Sequence, residues 1–266
     1  MSGPREHEPA LRRKSALVIG VGGLGCPTLM ALARSGIGRL VLADDDEVSL
    51  SNLHRQLLFD PEDVGKDKAA VASQKLRALD AGLEVELVHS RFLPDNALEL
   101  ARSVDLLVEG ADNFATKFLT ADAAFLTGRP VVHGAGVRWT STVFAVGHQG
   151  RPCYRCLFED VPTADVGLNC DEAGVMGPVL GLAGALMADL ALSCLLGSCD
   201  RQGSIFAYDG KLDRLRRVAV TGRSDCPLCG IRPSIVDIDE ARYLAPTCAI
   251  TQGAPPPNSR REDPWR

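Results

Sequence analysis

The stretch Ser15-Ala-Leu-Val-Ile-Gly20-Val-Gly-Gly-Leu-Gly25 decides the fold class. Residues 16–19 are apolar and rich in branched side chains, the pattern of a parallel strand buried on both faces. Gly20, Gly22 and Gly25 then spell Gly-x-Gly-x-x-Gly, with Gly23 as a further glycine inside it. Over residues 26–35 the apolar spacing becomes helical. Strand, glycine turn and helix together make a nucleotide cradle, because glycines let backbone approach phosphate and a helix N-terminus offers free N–H groups. A second apolar strand, residues 39–43, ends at Asp44, where a carboxylate accepts hydrogen bonds from a ribose. Alone, the stretch predicts a dinucleotide-binding domain or a tight turn without a ligand.

Further motifs fall where such a sheet would bind a ligand. Asp44-Asp-Asp-Glu47 is either a solvated loop or an acidic run at the carboxyl end of a parallel strand, where these folds bind their ligands. Ser51-Asn-Leu-His-Arg-Gln56 places Asn52 and Arg55 three apart, on one side of a helical turn. Residues 65–79 read as an amphipathic helix with Lys68 near its start. A lysine there opposes the macrodipole, so it is either solvated or matched by an anion such as phosphate. Strands follow over 84–89 and 104–108, with a helix over 95–102 between them. Gly110-Ala-Asp-Asn113 then opens a helix over 114–126. Asp112 or Asn113 can serve simply as its N-cap, or can face a ligand at that sheet edge. With further strands at 130–134 and 140–147, the alternation predicts a Rossmann-like, doubly wound α/β sheet.

The second half carries cysteine chemistry. Cys153-x-x-Cys156 and Cys226-x-x-Cys229 are two loop knuckles whose four thiolates suit a closed tetrahedral Zn²⁺ site, the alternatives being free thiols or a redox pair. A structural zinc there would tie the C-terminal portion to the sheet. Cys26, Cys194 and Cys199 read as core or helix-surface cysteines, and Cys248 lies in the tail. Cys170, in the polar loop Gly167-Leu-Asn-Cys-Asp-Glu172, is either incidental or a nucleophile. Residues 179–196 are apolar apart from Asp189 and Ser193, and read better as a buried helix than as a membrane span. Gly181, Gly184 and Ala185 would let that helix pack closely. A hairpin over 204–208 and 215–220 follows. Residues 1–14 and 231–266 read as a loose N-terminal segment and a largely disordered extension around a domain at 15–230, with 255–266 rich in proline.

A net charge of −5 gives no reason to expect nucleic acid as a partner. Residues 1–14 are charged and lack the apolar core of a signal peptide. Nine cysteines without a disulfide-like pattern suit the reducing cytoplasm.

Gly20–Gly25, Ser51–Gln56, Gly65-Lys-Asp-Lys68, Ala111-Asp-Asn113, both cysteine knuckles and Glu172-Ala-Gly-Val-Met-Gly-Pro178 stand in one order over residues 10–230. Together they resemble the ThiF/MoeB/HesA family, bacterial relatives of ubiquitin-activating enzymes. Leu42-Ala-Asp-Asp-Asp46 and Tyr208-Asp-Gly210 are closest in wording to its thiamine-pathway members.

The resemblance implies adenylation of the C-terminal glycine of a ubiquitin-like sulfur carrier (ThiS- or MoaD-like), in thiamine or molybdopterin biosynthesis. It implies a homodimer using ATP and Mg²⁺, with a cysteine desulfurase or other sulfur donor as partner. ATP would contact Gly20, Gly22, Gly23, Gly25, Asp44, Asp46 and Ser51, with Asp44 on the ribose. Asn52, Arg55 and Lys68 would hold phosphates, Asp112 the Mg²⁺, and Asn113 would line the site. Cys170 matches a cysteine that bonds to the carrier in many members. The family's N-terminal Arg-Tyr-x-Arg-Gln helix, whose arginine reaches the partner subunit's ATP, is not matched; Arg5, Arg12 and Arg13 are the arginines available there. The rival readings are an NAD-dependent dehydrogenase on the same glycine turn and an inactive carrier-binding scaffold.

Overall fold

A computed structural model describes residues 8–88, 90–158, 160 and 174–243. Its centre is an 8-stranded sheet in the order β3-β2-β1-β4-β5-β6-β7-β8. The strands are β1 (Ser15–Ile19), β2 (Arg39–Ala43), β3 (Glu84–Val88), β4 (Leu106–Glu109), β5 (Val131–Val137), β6 (Thr140–Val146), β7 (Ser204–Asp209) and β8 (Arg214–Ala219). The strands from β3 to β5 pair in parallel, and β6, β7 and β8 continue antiparallel. The hairpin expected near the end of the chain therefore extends the same sheet.

The helices are α1 (Glu8–Leu11), α2 (Gly25–Arg34), α3 (Lys68–Leu79), α4 (Ala97–Arg102), α5 (Phe114–Thr127) and α6 (Gly177–Leu195). Apolar side chains of β1, β2 and β4 alternate between two buried clusters, one beneath α2, α3 and α6, the other beneath α4 and α5. Helix α6 is apolar and long enough to cross a membrane, and more than half of it is buried within the fold. Of the small residues expected to admit close packing, Gly184 does so: a Cβ there would meet Pro27 Cγ at 2.4 Å. Gly181 has nothing within 4 Å, and Ala185 is exposed.

The packed chain reaches further at both ends than residues 15–230. In the segment expected to be loose, Glu8–Leu11 is helical and Leu11 is buried in the core. Arg12 pairs with Asp80 at 2.9 Å. At the other end Ile235 packs into the cysteine cluster and Tyr243 into the core beneath α5. Hydrophobic anchors spaced along irregular segments carry no periodicity, which is why composition alone read both ends as loose. Residues 244–266, including Cys248 and the proline-rich end, lie outside the described residues. The expectation of no disulfide is also overturned, because Cys194 and Cys199 are bonded across the end of α6.

The most deeply buried charge pair joins α5 to the first cysteine knuckle. Arg155 donates from Nε and Nη2 to Asp122 at 2.7 and 2.9 Å, and the Tyr243 hydroxyl donates to the same carboxylate at 2.8 Å. The guanidinium also lies 4.7 Å from the Phe118 ring centroid. Removing one partner of such a pair leaves an uncompensated buried charge. Asp122→Ala should lower unfolding free energy by about 3–5 kcal/mol. Tyr243→Phe, which deletes one hydrogen bond, should cost about 1 kcal/mol. Urea denaturation measures both, and a loss below about 1 kcal/mol for Asp122→Ala would contradict this account.

Candidate functional site

Register places the site. Ile19 pairs with Ala43 on one side and with Glu109 on the other, so Gly20, Asp44 and Gly110 leave the sheet at one level. Strand order reverses between β1 and β4, and the crevice outside the carboxyl ends at such a switch point is where doubly wound folds bind ligands. A cavity of about 710 Å³ lies there.

Two glycines make the turn possible. Gly20 has φ +88°, and a Cβ there would crowd the Gly110–Ala111 backbone at 3.2 Å. A Cβ on Gly25 would lie 2.0 Å from the Gly20 carbonyl oxygen, so only glycine lets α2 start directly over the end of β1. Gly20, Gly22 and Gly23 line the cavity; Gly25 shapes the turn and does not.

Of the expected polar residues, Asp44, Asp46, Asn52, Arg55, Lys68, Asp112 and Asn113 all line this cavity. Asp44 is fixed by backbone donors, accepting from Val21 N at 2.6 Å and Asp46 N at 3.0 Å. Burial pushes its carboxyl above the usual range, against the opposing pull of Lys68. Lys68, at the start of α3, is buried, and its Nζ donates to Asp46 Oδ2 at 2.8 Å. Thus the lysine is buried and matched by an anion, not solvated, the second of the two readings its helix position left open. Asn113 is the N-cap of α5, its Oδ1 accepting from Thr116 N at 2.9 Å. Ser51 is exposed outside the cavity, its hydroxyl 2.9 Å from that of Ser49. Arg12, committed to Asp80, does not line the cavity either, and Arg5 and Cys170 lie outside the described residues.

Sequence reasoning missed the charged floor of the site. Glu109 is fully buried and accepts from Lys117 Nζ at 3.0 Å on each oxygen and from Ala111 N at 2.7 Å. Lys117 also donates to the Gly134 carbonyl at 2.6 Å, and His133 Nδ1 lies 3.1 Å from Glu109 Oε2. Burial opposes ionisation of Glu109, but the Lys117 ammonium and the His133 N–H outweigh it and hold its carboxyl below the usual range. A carboxylate only accepts, so Nδ1 carries the proton. Burial pushes the His133 pKa down, against Glu109, and keeps the ring neutral. A glutamate closing an apolar strand and a lysine early in an apolar helix were the signals available.

The four knuckle cysteines also come together, all buried, with their sulfurs within 4.8 Å of one another. Cys153–Cys226, Cys156–Cys229 and Cys153–Cys156 sulfurs are separated by 3.5, 3.4 and 3.9 Å. Tetrahedral thiolates about 2.3 Å from one zinc would stand about 3.8 Å apart, so the donor set fits that ion. None of the four lines the cavity.

The ThiF family profile matches residues 4–228. The chain belongs to the ThiF family. It is 41% identical over 235 residues to the sulfur carrier protein adenylyltransferase of Thermus thermophilus, covering 86% of this chain and 87% of that protein. It is 37% identical over 230 residues to adenylyltransferase and sulfurtransferase MOCS3 of Culex quinquefasciatus. The match covers 86% of this chain but only 52% of that longer protein. A crystal structure of Escherichia coli MccB with MccA-N7isoASN superposes with a TM-score of 0.72 at 22% identity, over 84% of this chain and 68% of that one. That likeness is one of fold.

The buried floor makes stability pH-dependent with a definite sign. As pH falls through 6.5, unfolded His133 takes up a proton that the folded imidazole resists, so folding stability declines. Glu109, held below its ordinary 4.5, adds to the loss at lower pH. The melting temperature should therefore fall between about pH 7 and 5. His133→Gln, which keeps an N–H for Glu109 without titrating, should flatten that fall; equal slopes in both proteins would show that His133 contributes nothing to it.

Proposed function

We infer that the chain is an adenylyltransferase that uses ATP to activate the C-terminal carboxylate of a ubiquitin-like sulfur carrier. The observation that carries the reading is the convergence of the glycine turn, Asp44, Arg55 and Lys68 on one cavity. A dehydrogenase needs the first two of these; phosphoryl chemistry needs all four.

The carrier carboxylate is ionised at neutral pH, so its attack requires no general base. One of its oxygens bonds to the α-phosphorus, the bond from that phosphorus to the bridging oxygen breaks, and pyrophosphate leaves with the electron pair. The obstacle is the meeting of anions, which cations and N–H dipoles aimed at the phosphates reduce. In our assignment Gly20, Gly22 and Gly23 admit the phosphates to the α2 N-terminus, and Asp44 binds the ribose. Asn52, Arg55 and Lys68 hold the phosphates, with Asn113 along the wall. Lys68 keeps hydrogen-bond capacity beyond Asp46, because an ammonium has three donors. Asp112, an exposed carboxylate on the cavity wall, would hold Mg²⁺, which neutralises charge on the leaving pyrophosphate.

We assign the carrier to the ThiS- or MoaD-like proteins of thiamine or molybdopterin biosynthesis. The working unit in this reading is a cytoplasmic homodimer, with sulfur from a cysteine desulfurase or comparable donor. Cys170 would form the bond to the activated carrier, a step separate from adenylation. Zn²⁺ belongs to Cys153, Cys156, Cys226 and Cys229 as a structural ion.

Carrier-dependent pyrophosphate exchange tests the reaction. Arg55→Ala and Lys68→Ala should fold and lose on the order of a hundredfold or more in exchange rate. Cys170→Ala should retain exchange while losing any thiol-sensitive enzyme–carrier adduct. Wild-type exchange in Lys68→Ala would remove the lysine from the phosphate site, and tight NAD binding without ATP binding would overturn the reading.

For the cysteine cluster, protein purified without chelator should hold a single zinc ion per chain. Cys226→Ser should lower the melting temperature by far more than it changes the KM for ATP. Absence of metal by elemental analysis would reject the assignment.

A further inference from the structure

Strand order sets the direction in which a bound nucleotide must run. The sequence β3-β2-β1-β4 along the carboxyl edge puts the phosphates at the turn after β1 and the ribose at Asp44 after β2. The base then falls beyond β2, over the end of β3. The loop after β3 holds Arg91 and Phe92, both of which line the cavity together with Asp45.

This loop is built to a fixed shape. The Asn96 side chain accepts from Leu93 N at 2.9 Å and donates to the Arg91 carbonyl at 2.8 Å and to Ser90 Oγ at 3.1 Å. Phe92 is buried in the cluster under α4 and α5 and anchors the backbone beside it. Arg91, by contrast, is exposed, and its Nε lies 3.1 Å from Asp45 Oδ1. That contact holds the guanidinium from the β2 side, across the position assigned to the base.

We propose that Arg91, steered by Asp45, is a nucleotide-positioning residue whose guanidinium plane stacks on the purine of ATP. The inference rests on the adenylyltransferase reading above. Charge decides against Arg91 as a further phosphate ligand: Asp45 at its guanidinium and Asp44 at the end of β2 line that side of the cavity and would repel an anion. A flat, uncharged base suffers no such repulsion and presents a face on which guanidinium stacks favourably.

Calorimetry on the full chain separates these roles, using ATP with Mg²⁺ and inorganic tripolyphosphate with Mg²⁺ as probes. Arg91→Ala should weaken ATP binding roughly fivefold to thirtyfold. Its tripolyphosphate affinity should stay within about twofold of wild type, since the anion lacks a base to stack on. Arg91→Lys should recover little, because ammonium has no plane. Asp45→Asn should give a smaller loss than Arg91→Ala. In exchange assays the Arg91→Ala defect should fall on the KM for ATP rather than on kcat. Because Arg91 is exposed, the variants should melt as wild type does. Unchanged ATP affinity in Arg91→Ala, or equal losses for ATP and tripolyphosphate, overturns the proposal while leaving the adenylyltransferase reading intact. A wild-type chain that binds no ATP removes both.

Discussion

The site depends on one close approach, that of Gly25 to the carbonyl of Gly20. With no room for a Cβ between them, α2 begins almost on top of the end of β1. Its first N–H groups are therefore delivered to the sheet edge instead of being spent in a longer loop. The parallel register carries this precision sideways, because β2 and β4 end level with β1. Asp44 then needs no side-chain partner to be held: two backbone N–H groups fix both of its oxygens. A glycine-dependent contact in one turn thus positions groups contributed by three strands.

Charge placement along that edge is equally ordered. Carboxylates cluster after β2, while Lys68 and Arg55 lie on segments that fold back over the glycine turn from the following loop and helix. Lys68 is buried yet tied to Asp46, whose own carboxylate is exposed. The cation is thereby prepositioned, and its partner remains well solvated. A buried partner would hold the ammonium through low-dielectric attraction that a phosphate would have to overcome; an exposed one competes only weakly.

The sequence discloses those parts of the molecule that local chemistry dictates. The glycine turn, the acidic strand end, the two knuckles and the alternation of strand and helix are local patterns, and they stand where expected. What it hides is set by long-range pairing. Nothing in residues 204–219 says that their hairpin joins β6, since an antiparallel edge strand reads alike in one sheet or two. Tyr243 looks like part of a loose tail until its hydroxyl is seen on Asp122. Ser51 sits inside the right motif, yet the turn at Leu50–Asn52 directs it to solvent while Asn52 faces the cavity. The bond between Cys194 and Cys199 was equally invisible, because it depends on how the chain turns after α6.

Helix α5 explains how a distant cysteine cluster can matter to the cavity without touching it. Lys117, near its start, locks onto Glu109 and the Gly134 carbonyl, fixing the helix to the end of β4 and the middle of β5. Asp122, further along, takes Arg155 from within the first knuckle and Tyr243 from the C-terminal segment. At each end a buried charge meets its counter-charge, Lys117 on Glu109 and Arg155 on Asp122, so neither end of the helix can shift without stranding an ion in the core. The cavity floor and the cysteine cluster are therefore held in one frame by a single rigid element. A metal bound by the four cysteines would act on the reaction through that frame and through Tyr154, which lines the cavity from within the first knuckle 4.7 Å from the His133 ring, as a tie that keeps residues 153–156 and 226–243 in place against α5.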